Sequence, residues 1–229
     1  MDGLGTNQGT SVGSSDAGRF GDEFFARARA RLTLDVPPAL TDDTITATRG
    51  DLDLDPSLWE RAGVKATRPA AVLVPIVDRA EPTVLLTLRT ADLESHAGQI
   101  AFPGGKIEPS DASPAAAALR EAWEEIGLDG SLVEPLGHLD LYLTFSGFRI
   151  LPTVARVAPS HRLTLNRAEV AEAFEVPLAF LMDAQNHALH SRDWKGVIRR
   201  YYAMPFGERY IWGVTAGILR NLYERVFLG

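Results

Sequence analysis

The chain has 229 residues, 45% hydrophobic and 23% charged, with no cysteine and a formal net charge of −7. It can bury a sizeable core, but its charge argues against a nucleic-acid partner, whose phosphates need clustered Lys and Arg. The missing thiols exclude disulfides, thiolate metal sites and a Cys nucleophile.

The first residues lack the basic and apolar regions of a signal peptide, and no run of about 18 apolar residues marks a membrane span. A cytoplasmic protein with no membrane partner, monomeric or homodimeric, is expected. Residues 1–18 offer almost nothing to bury and are expected to form a disordered tail. GRFGDEFFARARARL then predicts a short helix with Phe20, Phe24, Phe25 and Ala28 on its apolar side. Val36 to Pro56 is Pro- and Asp-rich and reads as loop and turn, its DLDLD run as surface, and SLWERAGV is a second short helix candidate. Residues 19–66 thus form an extension ahead of a main domain over 67–229.

That domain begins with AAVLVPIV and TVLLTLRT, Val- and Leu-rich runs on either side of the turn signal DRAEP, which predict a strand hairpin. A Gly-rich loop, HAGQIAFPGGKIEPSD, leads into the strongest helix of the chain, SPAAAALREAWEEIGL. Ser113 stands at its N-cap and Pro114 at the first helical position, and Gly127 is placed to end it. LVEPLGHLDLYLT and FRILPTVARV return to strand, RAEVAEAFEVPLAFLMDA mixes loop with a short helix, and IWGVTAGILRNLYERVFL predicts a C-terminal amphipathic helix. The order suggests an α/β/α sandwich around a mixed sheet.

At about 100° per residue, Glu125 lies about 40° to one side of Glu121 and Glu124 about 60° to the other, so three carboxylates share one helix face. Ala117 lies inside this arc and is too small to obstruct it. Ala115, Ala118, Leu119, Ala122 and Ile126 fill an adjoining arc that would pack on the sheet. An acidic solvent-facing surface is the bland reading, but like charges at these spacings repel by a few tenths of a kcal/mol each, and the helix has no lysine to relieve them. Three oxygen-rich side chains suit a hard cation, Mg²⁺ or Mn²⁺. FPGGK, one short loop earlier, permits a close backbone approach and puts the Gly104 carbonyl forward as a further ligand.

Here the sequence resembles the Nudix hydrolases, whose box runs Gly, five residues, Glu, seven residues, then Arg-Glu-aliphatic-x-Glu-Glu-x-Gly-aliphatic. Gly105, Arg120, Glu121, Glu124, Glu125, Gly127 and Leu128 stand in register. Asp111 replaces the first acid, eight residues rather than seven separate it from Arg120, and Ala122 replaces the larger aliphatic. Upstream, LLTLRTADLESHAGQIAFPGG looks like the motif of the coenzyme A pyrophosphatase subgroup through Leu85, Leu86, Thr87, Arg89, Gly98, Phe102, Pro103, Gly104 and Gly105. Thr90 stands where Ser or Ala is usual, and Glu94 where the pattern has Arg.

The resemblance implies metal-dependent hydrolysis of a diphosphate in a nucleotide derivative, coenzyme A first, with 4′-phosphopantetheine and 3′-phosphoadenosine 5′-phosphate as products. It implies Mg²⁺ or Mn²⁺ on Glu121, Glu124 and Glu125, with Arg120 orienting the carboxylates. The general base is Glu125 or Glu169. Arg89 is a phosphate grip or a salt-bridge partner. His96, Gln99 and Gly105 are candidate substrate contacts. Trp212 stacks an adenine or packs internally, and Tyr142 and Phe145 are better read as packing. NADH, ADP-ribose and dinucleoside polyphosphates are the rival substrates. A non-catalytic ligand-sensing domain is a remote rival, since the box acids are present.

Overall fold

The computed structural model describes residues 14–45, 49–51, 53–54, 67–91, 97–194 and 197–228. Helix α1 (Ser14–Arg31) precedes β1 (Arg49–Gly50), β2 (Arg68–Val77), β3 (Thr83–Arg89), β4 (Ile100–Ala101) and β5 (Gly104–Lys106). Helix α2 (Pro114–Ile126) leads to β6 (Val133–His138), β7 (Tyr142–Leu143), β8 (Phe148–Val157) and β9 (Val170–Pro177). After the short α3 (Leu178–Leu181) come β10 (Ala188–Trp194), β11 (Val197–Phe206) and β12 (Arg209–Trp212), then α4 (Val214–Tyr223) and a closing π-turn over Glu224–Leu228.

The main sheet runs β1-β7-β8-β2-β3-β4, with β5 on β2, β6 on β8 and β9 on β3. It is mixed: β2 and β8 pair in parallel over their whole length, while β3 runs antiparallel to β2, β4 and β9. The alternation of β2 divides the core. Ala71, Leu73 and Val77 face α2, with Ala118, Ala122 and Ile126. Val74 and Ile76 face the other side, where α1 brings Phe24, Phe25 and Ala28, and α4 brings Ile218, Leu219 and Leu222. The architecture is therefore α/β with helices on both faces of a mixed sheet. Among the described residues no helix is long and apolar enough to cross a membrane.

Four expectations change. Helix α1 begins at Ser14, so the last residues assigned to the tail belong to it. The segment expected to be loop before α3 is the eight-residue strand β9, paired with β3 from Thr83 to Arg89. Strands β10, β11 and β12 form an unexpected three-stranded antiparallel sheet. Asp51, set aside as surface, instead accepts hydrogen bonds from the Tyr142 hydroxyl at 3.1 Å and the Phe145 amide at 2.8 Å. SLWERAGV and residues 1–13 lie outside the described residues.

Candidate active site

Local chemistry places α2 and hence its acids. The Ser113 hydroxyl accepts from the Ala116 amide at 3.1 Å, satisfying one of the helix's free N–H groups. Gly127, at φ 66°, turns the chain left-handed to end the helix, a conformation that costs a residue with a Cβ. Between these caps the apolar arc is buried on the sheet as expected, and from the other arc Glu121 reaches Gly105 and Glu125 reaches Gly104.

Arg120 organises this face. Its Nε and Nη2 donate to the two oxygens of Asp111 at 3.0 and 3.1 Å, and Nη2 also reaches the Lys106 carbonyl at 3.1 Å. Nη1 donates to Glu121 at 2.9 Å and Glu124 at 3.3 Å. One guanidinium thus ties the Gly-rich loop to the acidic helix, and the two-pronged grip on Asp111 exploits its planar fork. Asp111 sits where the resemblance puts the first acid, but it is engaged with Arg120, which holds its pKa below the usual carboxylate range. Its eight-residue spacing from Arg120 still lets the two meet. Sequence reasoning missed this role; the loop acid preceding the only arginine of α2 was the available signal.

Gly105 is explained by the same neighbourhood. A Cβ there would lie 2.5 Å from Glu121 Cδ and 2.6 Å from both carboxylate oxygens. A side chain here would have to displace the Glu121 carboxylate, which lies against the Gly105 backbone. At Gly104 a Cβ would strike the Ala71 carbonyl at 2.4 Å, and its amide donates to Glu125 at 3.4 Å.

Glu125 is only 4% exposed. Arg89, on the α2 side of β3, approaches it at 3.7 Å, and the buried Arg89 Nε has no hydrogen-bond partner among the described residues. Burial pushes the Glu125 carboxyl up to about 7; Arg89 opposes this, while Glu121 and Glu169 add to it. Glu121 is also raised, by burial first, against the pull of Arg120 and with Glu124 and Glu169 repelling it. Glu169 is therefore a neighbour of the cluster. The Asn166 amide donates to its carboxylate at 3.0 Å, and Thr90 holds its loop, donating from its amide to the Glu169 carbonyl and from its hydroxyl to the Ala168 carbonyl. A hydroxyl at position 90 thus has a structural use.

The expected convergence of the three α2 acids is only partial. Among the described residues no three acidic or imidazole side chains stand close enough together to hold an ion as they are. Glu124, with its side chain 54% exposed, is drawn to Arg120 four residues earlier; Glu125 lies deeper, and the carboxylates that act on it belong to Glu121 and Glu169. The donor set nevertheless fits a hard divalent cation. Five carboxylates, Asp111, Glu121, Glu124, Glu125 and Glu169, face the two guanidinium groups of Arg89 and Arg120. The negative excess sits on oxygen donors at the buried end of the cluster.

Gln99 is half-buried, its carbonyl accepting from the Arg89 amide at 3.0 Å. Trp212 is half-buried against Tyr201 at 5.3 Å, and Tyr142 is buried in the core. Phe145 lies beneath the Arg199 guanidinium at 3.7 Å. His96 and Glu94 lie outside the described residues.

Comparison with known proteins identifies relatives of this chain. Residues 67–196 match the NUDIX domain family. An uncharacterized Nudix hydrolase, NudL, of Yersinia enterocolitica is 43% identical over 157 residues, covering 69% of this chain and 80% of the relative. Its counterpart in Yersinia pestis is 43% identical over 161 residues with the same coverage. A solved Nudix hydrolase from Alicyclobacillus acidocaldarius superposes with a TM-score of 0.46 at 22% identity, over 69% of this chain and 92% of that one. With its glycine bend, acidic helix and Arg120 clasp, the chain belongs to the Nudix hydrolase family.

Proposed function

We propose that the protein hydrolyses a diphosphate bond in a nucleotide derivative, with coenzyme A or an acyl-coenzyme A as substrate and Mg²⁺ or Mn²⁺ as cofactor. The observation that carries the reaction class is the buried carboxylate of Glu125 beside the Gly104–Gly105 bend, with Glu121 and Glu169 acting on it and Arg89, at 3.7 Å, opposing them. The match of Leu85, Leu86, Thr87, Arg89, Gly98 and Phe102–Gly105 to the coenzyme A pyrophosphatase pattern supports the substrate.

Glu121, Glu124 and Glu125, with the Gly104 carbonyl, would hold the ion. When bound it neutralises the diphosphate and lowers the pKa of coordinated water. Arg120 orients Glu121 and Glu124 and is itself fixed by Asp111, so the carboxylates meet the substrate already arranged. We assign proton acceptance from the attacking water to Glu169, which stands on the half-buried side of the cluster. Arg89 holds Glu125 at 3.7 Å, and its Nε has no partner among the described residues, so its guanidinium keeps donors for a phosphate oxygen. Water adds to one phosphorus, the bridging oxygen leaves with the other phosphate, and 4′-phosphopantetheine and 3′-phosphoadenosine 5′-phosphate result.

Turnover of coenzyme A, NADH and ADP-ribose at one fixed Mg²⁺ concentration tests the substrate. Coenzyme A is expected to show the highest kcat/KM, with the two named products. A several-fold preference for NADH or ADP-ribose would move the protein to another Nudix pyrophosphatase class.

A further inference from the structure

The small sheet carries an aromatic cluster that the phosphate chemistry leaves unused. Trp212 and Tyr210 alternate along β12, and the register opposite Ala203 and Pro205 puts both on one face. Tyr201, two residues before Ala203, and its partner His190 extend that face. The opposite face gives Met204 and Ile211 to the core. Trp212 meets Tyr201 edge-on at 5.3 Å and Tyr210 at 6.4 Å between centroids. The Tyr210 hydroxyl shares a 3.0 Å hydrogen bond with His190 Nδ1. The rings hold one another in place.

A cleft of about 280 Å³ opens beside them, walled by Leu88, Gly98, Ile100, Arg209, Tyr210 and Trp212, with Glu208 at its edge. Its size is close to the lower bound for small-molecule sites. It shares the end of β3 with the acid cluster. Leu88 faces the cleft, whereas the next residue, Arg89, turns through the other face to Glu125. The Arg89 amide donates to the carbonyl of Gln99, next to Gly98.

We propose that this cleft receives the nucleobase of the substrate, stacked on Trp212, while the diphosphate passes the end of β3 to reach Glu125. The proposal rests on the pyrophosphatase reading above. The occupant follows from what the walls offer. Arg209 is committed to Glu172 and lies over the Phe174 ring at 4.3 Å, and Tyr210 is committed to His190. An amide chain such as pantetheine needs several hydrogen-bond partners, more than the side chains of these described walls leave uncommitted. A base needs mainly a ring face, which every nucleobase can use for stacking. Glu208 at the edge can accept from an exocyclic amine.

The test compares wild type with Trp212→Leu and Trp212→Phe, each checked for an unchanged melting temperature. Trp212→Leu is expected to raise the KM for coenzyme A and the Ki of AMP by about tenfold, with kcat within about threefold and the Ki of 4′-phosphopantetheine unchanged. Trp212→Phe, which keeps a ring, is expected to restore most of the loss. An unchanged KM and AMP Ki in Trp212→Leu, or a shift confined to 4′-phosphopantetheine, would overturn the proposal. If the wild type hydrolyses no nucleotide diphosphate, the pyrophosphatase reading fails by itself. AMP binding by calorimetry then decides the subsite: weaker binding in Trp212→Leu supports it, and equal binding refutes it.

Discussion

Two pairs of glutamates, one on β9 and one on α2, show opposite electrostatic treatment of the same side chain. On β9, Glu175 is gripped by both prongs of Arg79 at 2.7 Å and accepts from the Thr83 hydroxyl, while Glu172 is gripped by Arg209. Both carboxyls sit below the usual range, and in each case the arginine is the leading cause. On α2, Glu121 and Glu125 are pushed up, with burial as the leading cause and other acids adding to it. On β9 each acid has its own arginine; on α2 Glu121 and Glu125 also meet arginines, but burial and neighbouring acids outweigh them. A perturbed carboxylate among like charges beside a glycine bend is the pattern of a functional site.

The sharpest way to break the comparison is at its buried member. Glu125→Gln keeps size and removes charge, and it should lower kcat on the order of 10³-fold, since a metal's stabilisation of the transition state is worth several kcal/mol. Glu175→Gln should leave kcat within about twofold. Next comes Arg120→Lys. A lysine cannot grip both oxygens of Asp111 while reaching Glu121, so activity should fall about 10- to 100-fold with the melting temperature little changed. Steady-state kinetics and thermal unfolding measure both.

The smallest effect is on stability. For Glu125 the folded pKa, about 7, lies above its ordinary value of 4.5. A raised carboxylate pKa means the native state binds the proton more tightly. Stability is therefore full below the ordinary value and is lost as pH rises through about 7. In metal-free protein the loss between pH 5 and pH 8 should be about 2 kcal/mol, and Glu125→Gln should flatten that part of the curve. The lowered pKa of Glu175 acts in the opposite sense: its contribution is present above the ordinary value and fades as pH falls. Because Arg79 is exposed, Glu175→Gln should cost no more than about 1 kcal/mol. Denaturant unfolding against pH separates the two slopes.

The contrast also explains what could be read in the sequence. Helix α2 was legible because its signals are local: Ser113 and Pro114 at one end, Gly127 at the other, and a spacing that puts three acids on one arc. Strand β8, the apolar run Phe148–Val157, was legible for the same reason. Strand β9 was not, because Glu172 and Glu175 break its apolar pattern and their partners, Arg209 and Arg79, lie 37 and 96 residues away. The small sheet was hidden by the polar run His190–Asp193, although Gly207 at φ 56° marks the hairpin between β11 and β12. In the site, the box acids and glycines were legible. The approach of the Glu121 carboxylate to Gly105, the clasp of Arg120 on Asp111 and the partial dispersal of Glu124 needed three-dimensional neighbours.

The central claim is that the α2 acids hold a divalent ion and the β9 acids do not. Titrating metal-free protein with Mn²⁺, with free ion followed by its paramagnetic resonance, tests it most directly. Wild type and Glu175→Gln should bind with the same Kd, and Glu125→Gln at least about tenfold more weakly. Equal Mn²⁺ affinity in wild type and Glu125→Gln would contradict the account.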